Sequence, residues 1–125
     1  MGITTDWSDA SQQYCIIRIE APWTWDQYEV LVDTAMGEIN LVAHPVALII
    51  DVTNANGFPS GDILGHLRYL ETHIPSNVYA SILVGGPYII TAFMNVFTQL
   101  RPNARRRVQF AKTIEEAQAL ARQQF

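Results

Sequence analysis

Charge is scarce in this chain. Only 16% of its 125 residues are Asp, Glu, Lys or Arg, against about 25% in ordinary soluble domains. The shortage is local, because the eight basic and twelve acidic residues all lie outside residues 72–100. Basic residues are the minority. A net charge of −4 argues against nucleic acid or an anionic membrane surface as the partner, since both select positive surfaces. Cysteine is limited to Cys15, which excludes an intrachain disulfide and suits a reducing cytosol. Its neighbours Tyr14, Ile16 and Ile17 read it as a small buried hydrophobe. The first residues lack the basic and apolar regions of a secretory signal, so a cytoplasmic protein is expected. Met1-Gly2 opens a myristoylation pattern, but Asp6 stands where that pattern needs Ser or Thr.

Long hydrophobic runs are also missing. Pro75, Ser76 and Asn77, then Gly85-Gly86-Pro87, break up the uncharged stretch, and the longest remaining piece, 88–100, has 13 residues. As a helix it reaches about 20 Å against a ~30 Å hydrocarbon core, so no membrane span is expected. The chain has no G-x-S-x-G elbow, H-E-x-x-H pair, paired cysteines or phosphate-binding Gly-rich loop. The expectation is therefore a non-enzyme with no cofactor and no metal.

Hydrophobic residues make up 49% of the sequence, enough for a core without a staple, since a chain of this length buries roughly two thirds of its unfolded surface. Residues 13–20 alternate with β-formers and read as a strand, with 4–7 as a short edge strand hairpinned to it through 8–11. Thr24 and Gln27 have capping-box spacing. They open a helix carrying Tyr28, Leu31, Val32, Ala35, Ile39 and Val42, which His44-Pro45 closes. The near-continuous apolar run 46–52 predicts a central strand. A loop, 53–59, then leads to a helix from Ser60 or Gly61 that carries Ile63, Leu64, Leu67 and Leu70. Residues 78–84 read as a third buried strand, and Pro87 suits the first position of a helix running to Leu100. Arg101-Pro102-Asn103 stops it. A short strand follows at 107–110, then a helix capped by Thr113 and Glu116. The expectation is one α/β domain over 1–125, a four- or five-stranded mainly parallel or mixed sheet with about four helices.

Several segments resemble the STAS superfamily, the fold of sulfate-transporter C-terminal domains and anti-sigma factor antagonists. They are Trp23-Thr24-Trp25, the strand Val46-Ala47-Leu48-Ile49-Ile50-Asp51 with its polar loop, Leu83-Val84-Gly85, and the closing run from Phe110 to Ala117. The chain is most similar to stand-alone bacterial members akin to the sporulation anti-sigma factor antagonist. The resemblance implies a regulatory protein whose partner is of the anti-sigma or kinase type. In antagonists the loop after the second buried strand carries Asp-Ser-Ser-Gly, with a phosphorylated serine. Here it reads Phe58-Pro59-Ser60-Gly61, so the resemblance makes Ser60 the phosphorylation candidate, although Phe58 and Pro59 replace Asp and Ser. Ser60 also reads simply as a helix N-cap.

Asp51 lies at the carboxyl end of a central strand, where open α/β sheets place ligands. With Asn54, Asn56, Ser60 and Gly61 it lines a small polar crevice, or these side chains merely build the turn. His66 and His73 are seven residues apart, about 10 Å along a helix and too far to chelate one ion unaided. Arg101, Arg105, Arg106 and Arg107 read either as an anion-binding patch or as a solvated strand edge. The helix 88–100 is apolar on two sides. Ile89, Phe93, Val96 and Leu100 can face the sheet, which leaves Ile90, Met94 and Phe97 on a second flank. That flank is expected to form a homodimer or protein-partner face, to line an apolar-ligand pocket, or to tuck against a neighbouring helix.

Overall fold

The alternating apolar strands and amphipathic stretches become β1 (Gly2–Trp7), β2 (Tyr14–Glu20), α1 (Trp25–Asn40), β3 (Val46–Asn54), α2 (Ile63–His73), β4 (Val78–Val84), α3 (Pro87–Phe97), β5 (Val108–Ala111) and α4 (Ile114–Gln124). The computed structural model describes residues 2–97 and 108–124, the side chains of 96 and 97 excepted. Strand order is β1-β2-β3-β4-β5. The β1–β2 pair is antiparallel and every other pair is parallel. The fold is α/β, with a mixed five-stranded sheet and four helices among the described residues.

This order decides where the helices go. Each step from β2 to β5 moves one strand in the same direction, and right-handed crossovers then put every connecting helix on one face. Side chains of α1, α2 and α3 accordingly share a core with Cys15, Ile17, Leu48, Ile50, Val52 and Leu83. The last helix, α4, crosses back and covers the opposite face. There Ala117 and Ala121 meet Ala47, Ala80 and Ile82, and the small side chains let helix and sheet approach closely. Strand β4 is sandwiched between the two layers, which explains why it carries no charge.

Local chemistry marks the ends of the elements. Thr24 Oγ1 accepts from Gln27 N at 3.1 Å while Gln27 Oε1 accepts from Thr24 N at 3.0 Å, completing the expected capping box. At the other end of α1 the Asn77 amide donates to the carbonyls of Ile39, Val42 and His44 at 3.0, 3.3 and 3.2 Å. A residue from the next crossover thus ties the end of α1 to the turn that follows it.

Several expected boundaries shift. Strand β1 begins at Gly2 and not at Thr4, and α1 ends at Asn40, short of Val42 and His44. Strand β3 continues through Asn54, so Asn54 belongs to the strand and not to the loop. Helix α2 starts at Ile63, and its N-cap is Asp62, whose Oδ1 accepts from Gly65 N at 3.0 Å. Ser60 is therefore not the cap. Strand β5 runs to Ala111. The four arginines Arg101, Arg105, Arg106 and Arg107 lie outside the described residues.

In α3 Phe93 is 3% exposed in the core, and Ile89 and Ile90 both pack against it. The helix sits close to the sheet because residue 85 is glycine. A Cβ there would lie 2.7 Å from Ile89 Cγ2 and 3.3 Å from Val52 Cγ2. Met94 is half-buried. The Phe97 side chain lies outside the described set.

Candidate functional site

The segment between β3 and α2 is held from below by two indoles. Trp23 Nε1 donates to the Ala55 carbonyl at 2.9 Å, and Trp25 Nε1 donates to the Pro59 carbonyl at 3.2 Å. Both rings are buried and meet edge to face, centroids 5.0 Å apart. Trp25 also packs edge-on against Tyr28 at 5.2 Å, stacks on His66 at 4.2 Å and lies parallel to Phe58 at 6.1 Å. Phe58 in turn contacts Phe93 of α3 at 4.3 Å. The Trp-Thr-Trp run thus has two jobs. Its threonine caps α1, and its indoles anchor the loop that approaches α2.

The loop backbone complies through two left-handed residues, Asn56 at φ 56° and Gly57 at φ 84°. Asparagine and glycine tolerate that region where other residues are strained. Gly61, at φ 130°, lies under the Trp25 ring, where a Cβ would come within 3.3 Å of Cδ1. Ser60 is exposed directly after the Pro59 anchor and before Gly61.

His66 Nδ1 lies 3.5 Å from Glu29 Oε1, and the Tyr28 hydroxyl donates to the His66 carbonyl at 3.1 Å. Burial, with a smaller push from the Glu29 carboxylate, raises the Tyr28 pKa far above the ordinary tyrosine value. His73 Nδ1 turns instead to the Tyr69 carbonyl at 2.7 Å, and His44 Nε2 donates to the Gln12 carbonyl at 2.8 Å. Among the described residues no group of three His, Cys, Asp or Glu side chains could hold a metal ion, and no helix is long and apolar enough to cross a membrane.

The polar residues singled out in the sequence do not converge. Asn56, Ser60 and Gly61 share the clamped loop, and Asn54 is exposed at the end of β3. Asp51 alternates with the inward-facing Ile50 and Val52, so its side chain points to the α4 face of the sheet. There Oδ1 accepts from Thr53 N at 3.0 Å and from Thr53 Oγ1 at 2.6 Å, while Oδ2 lies 4.0 Å from Arg18 Nε across the register pair Arg18–Asp51. This carboxylate orders the strand end and has no part in the loop.

A second feature lies between α2 and the β4–β5 edge. It is a cavity of about 550 Å³ whose walls include Leu48, Ile50, Leu67, Leu70, Ser81 and Val108. Among the described residues its lining comes from the three strands, from α2 with the turn after it, and from Gln124, not from α3. The register explains the gap. Cys15, Leu48, Ser81 and Val108 form one cross-strand rung facing the helices, and the small serine sits where its neighbours are apolar.

Cys15 itself is fully buried, and burial pushes its thiol up to about 11, with the Thr5 hydroxyl working the other way. A thiol whose pKa is raised on folding stabilises the native state fully below its unfolded value of 9.0. That contribution is lost as pH climbs through about 11. Urea denaturation should show falling stability across this alkaline window, and a Cys15→Ala variant should show a shallower fall. Equal slopes in the two proteins would contradict the burial argument.

The chain matches no family model and no curated protein.

Proposed function

We propose that the protein is a cytoplasmic STAS-like regulatory module, without enzymatic activity, that works through protein–protein contacts made by the β3–α2 loop. The observation that carries this reading is the pair of indole anchors, Trp23 to Ala55 and Trp25 to Pro59. They hold exposed Ser60 in a defined presentation at low entropic cost to a partner. The loop follows the strand where the resembled antagonists keep their switch, and the partner in this reading is an anti-sigma or kinase-type protein. A phosphate on Ser60 would lie two residues from the Asp62 carboxylate, which already caps α2. Like charge beside that cap makes phosphorylation a disruptive signal and not a second cap. Incubation with ATP and an anti-sigma-type serine kinase, followed by peptide mapping, should find phosphate on Ser60. Phosphate only at other residues would end the switch assignment.

The same reading includes a homodimer through α3. Tyr88, 94% exposed at the head of that helix, and half-buried Met94 support it. Sedimentation at high micromolar concentration should give twice the chain mass, and Met94→Glu should give a soluble monomer. A clean 14.1 kDa species for the unaltered protein would overturn the dimer.

A further inference from the structure

Helix α1 meets the core with Tyr28, Val32, Ala35, Met36 and Ile39. On a helical period the side directly opposite carries Val30, Thr34, Gly37 and, at the C-cap, Leu41. Val30 is 62% exposed and Leu41 is 87% exposed. Between them Thr34 Oγ1 donates to the Val30 carbonyl at 2.9 Å, so its hydroxyl is turned to the helix backbone. Glycine is a poor helix former, yet a Cβ on Gly37 would meet nothing within 4 Å. Packing within the chain gives no reason for that missing side chain. The charges on this helix break local rules as well. It carries Asp26, Glu29, Asp33 and Glu38 and no Lys or Arg. Glu29 and Asp33 are like charges one turn apart, and Glu38 lies in the last turn, at the negative end of the helix dipole. Among the described residues no Lys or Arg pairs with Asp26, Asp33 or Glu38.

We infer that this face of α1 docks an amphipathic, positively charged helix of a different protein. The apolar side of that helix lies across Thr34 and Gly37, between Val30 and Leu41, which are about 16 Å apart along the axis. Helix axes approach to about 8–10 Å, according to the side chains at the contact, and Gly37 makes the close approach open to a partner. Its Lys or Arg side chains meet acids on both flanks. Asp26 and Asp33 lie toward α2, where the Tyr69 hydroxyl donates to Asp33 Oδ1 at 2.5 Å. Glu38 lies on the other flank with Gln27, whose side chain adjoins Gly2 of β1. Charge complementarity selects this occupant. A second copy offering its own α1 would set acid against acid, and an anionic lipid surface would be repelled for the same reason. The face shares no residue with the β3–α2 loop or with α3, so the inference goes beyond the regulatory reading and does not depend on it.

The probe is a blocked peptide of about 18 residues, five helical turns, with leucine and alanine on one side and lysine on the other. Titrated into the isotope-labelled intact protein, it should bind saturably, one peptide per chain, and shift amide resonances of residues 30–41. Affinity should fall as salt is added, and the same peptide with glutamate for lysine should not bind. Gly37→Gln fills the contact and replaces a poor helix former with a better one. It should raise the melting temperature while weakening peptide binding at least about tenfold, a pairing that a merely structural glycine would not give. Val30→Lys should weaken binding as well. Ser60→Ala and Met94→Glu should bind the peptide as the unaltered protein does, which keeps this test separate from those of the loop and the α3 dimer. Absence of saturable binding, shifts centred away from α1, or unchanged affinity in Gly37→Gln overturns the docking face. Equal binding of the glutamate peptide overturns its preference for a basic partner.

Discussion

Replacing Trp25 with alanine is expected to destabilise the protein by about 3–5 kcal/mol, the range for deleting a large buried aromatic. Three terms act together. The indole is 8% exposed and touches Trp23, Tyr28, Phe58 and His66, so its removal leaves a cavity at the meeting point of α1, α2 and the loop. Its N–H no longer holds the Pro59 carbonyl. Gly61, kept bare under the ring, loses the surface it packs on. Trp25→Phe separates these effects, because it keeps most of the apolar contact and removes only the donor. That variant should cost about 1–3 kcal/mol and should speed amide exchange in residues 55–62 ahead of the core strands. Urea denaturation of both variants, with hydrogen exchange on the second, is the measurement. A Trp25→Ala loss below about 1 kcal/mol would show that the aromatic cluster does not bind the loop to the fold.

Leu48→Ala is expected to cost about 2–5 kcal/mol, toward the upper part of that range. Leu48 is 0% exposed, sits in the core shared with α1–α3 and also lines the cavity beside Ser81. Core truncations are mild when neighbours collapse into the gap and severe when they cannot. Here the gap would merge with space that the fold already holds open, between a sheet fixed by its ladder and a helix fixed by Asp62 and by its contacts with Tyr28. Chemical denaturation of the two proteins is the measurement. A small loss would mean that α2 settles onto the sheet.

Element order was legible because it rests on periodicity and local caps, both short-range properties of the chain. The capping box at Thr24 and Gln27 needs partners three residues apart. The uncharged run 78–84 already reads as a covered strand, since solvent-facing positions would carry polar side chains. The start of α2 was less legible. Ser60, Gly61 and Asp62 are consecutive, and serine and aspartate are equally good caps. What decides between them is the positive φ of Gly61 under the Trp25 ring, which delays the helix by two residues. The anchors of the loop were not legible at all. Each is an indole paired with a carbonyl 32 or 34 residues away, and no spacing rule encodes a contact at that range. Asp51 shows the same limit in reverse. It neighbours the loop in sequence, yet strand alternation turns it to the opposite face.

The sequence by itself determined the α/β class, the strands and helices in order, the capping of α1, and the placing of low charge in 72–100. These follow from hydrophobic period, turn chemistry and composition, each read within a few residues. Only the tertiary structure decided that α1, α2 and α3 share one face. The same holds for the loop carrying Ser60 being pinned by Trp23 and Trp25, and for Ser81 falling on a rung between Leu48 and Val108 to leave a cavity. Strand order and register bring together residues far apart in the chain, and their packing is settled by geometry that no local pattern carries. The missing charge therefore marks β4, which is covered on both faces, and the cavity lies against its one small polar residue on the helix side.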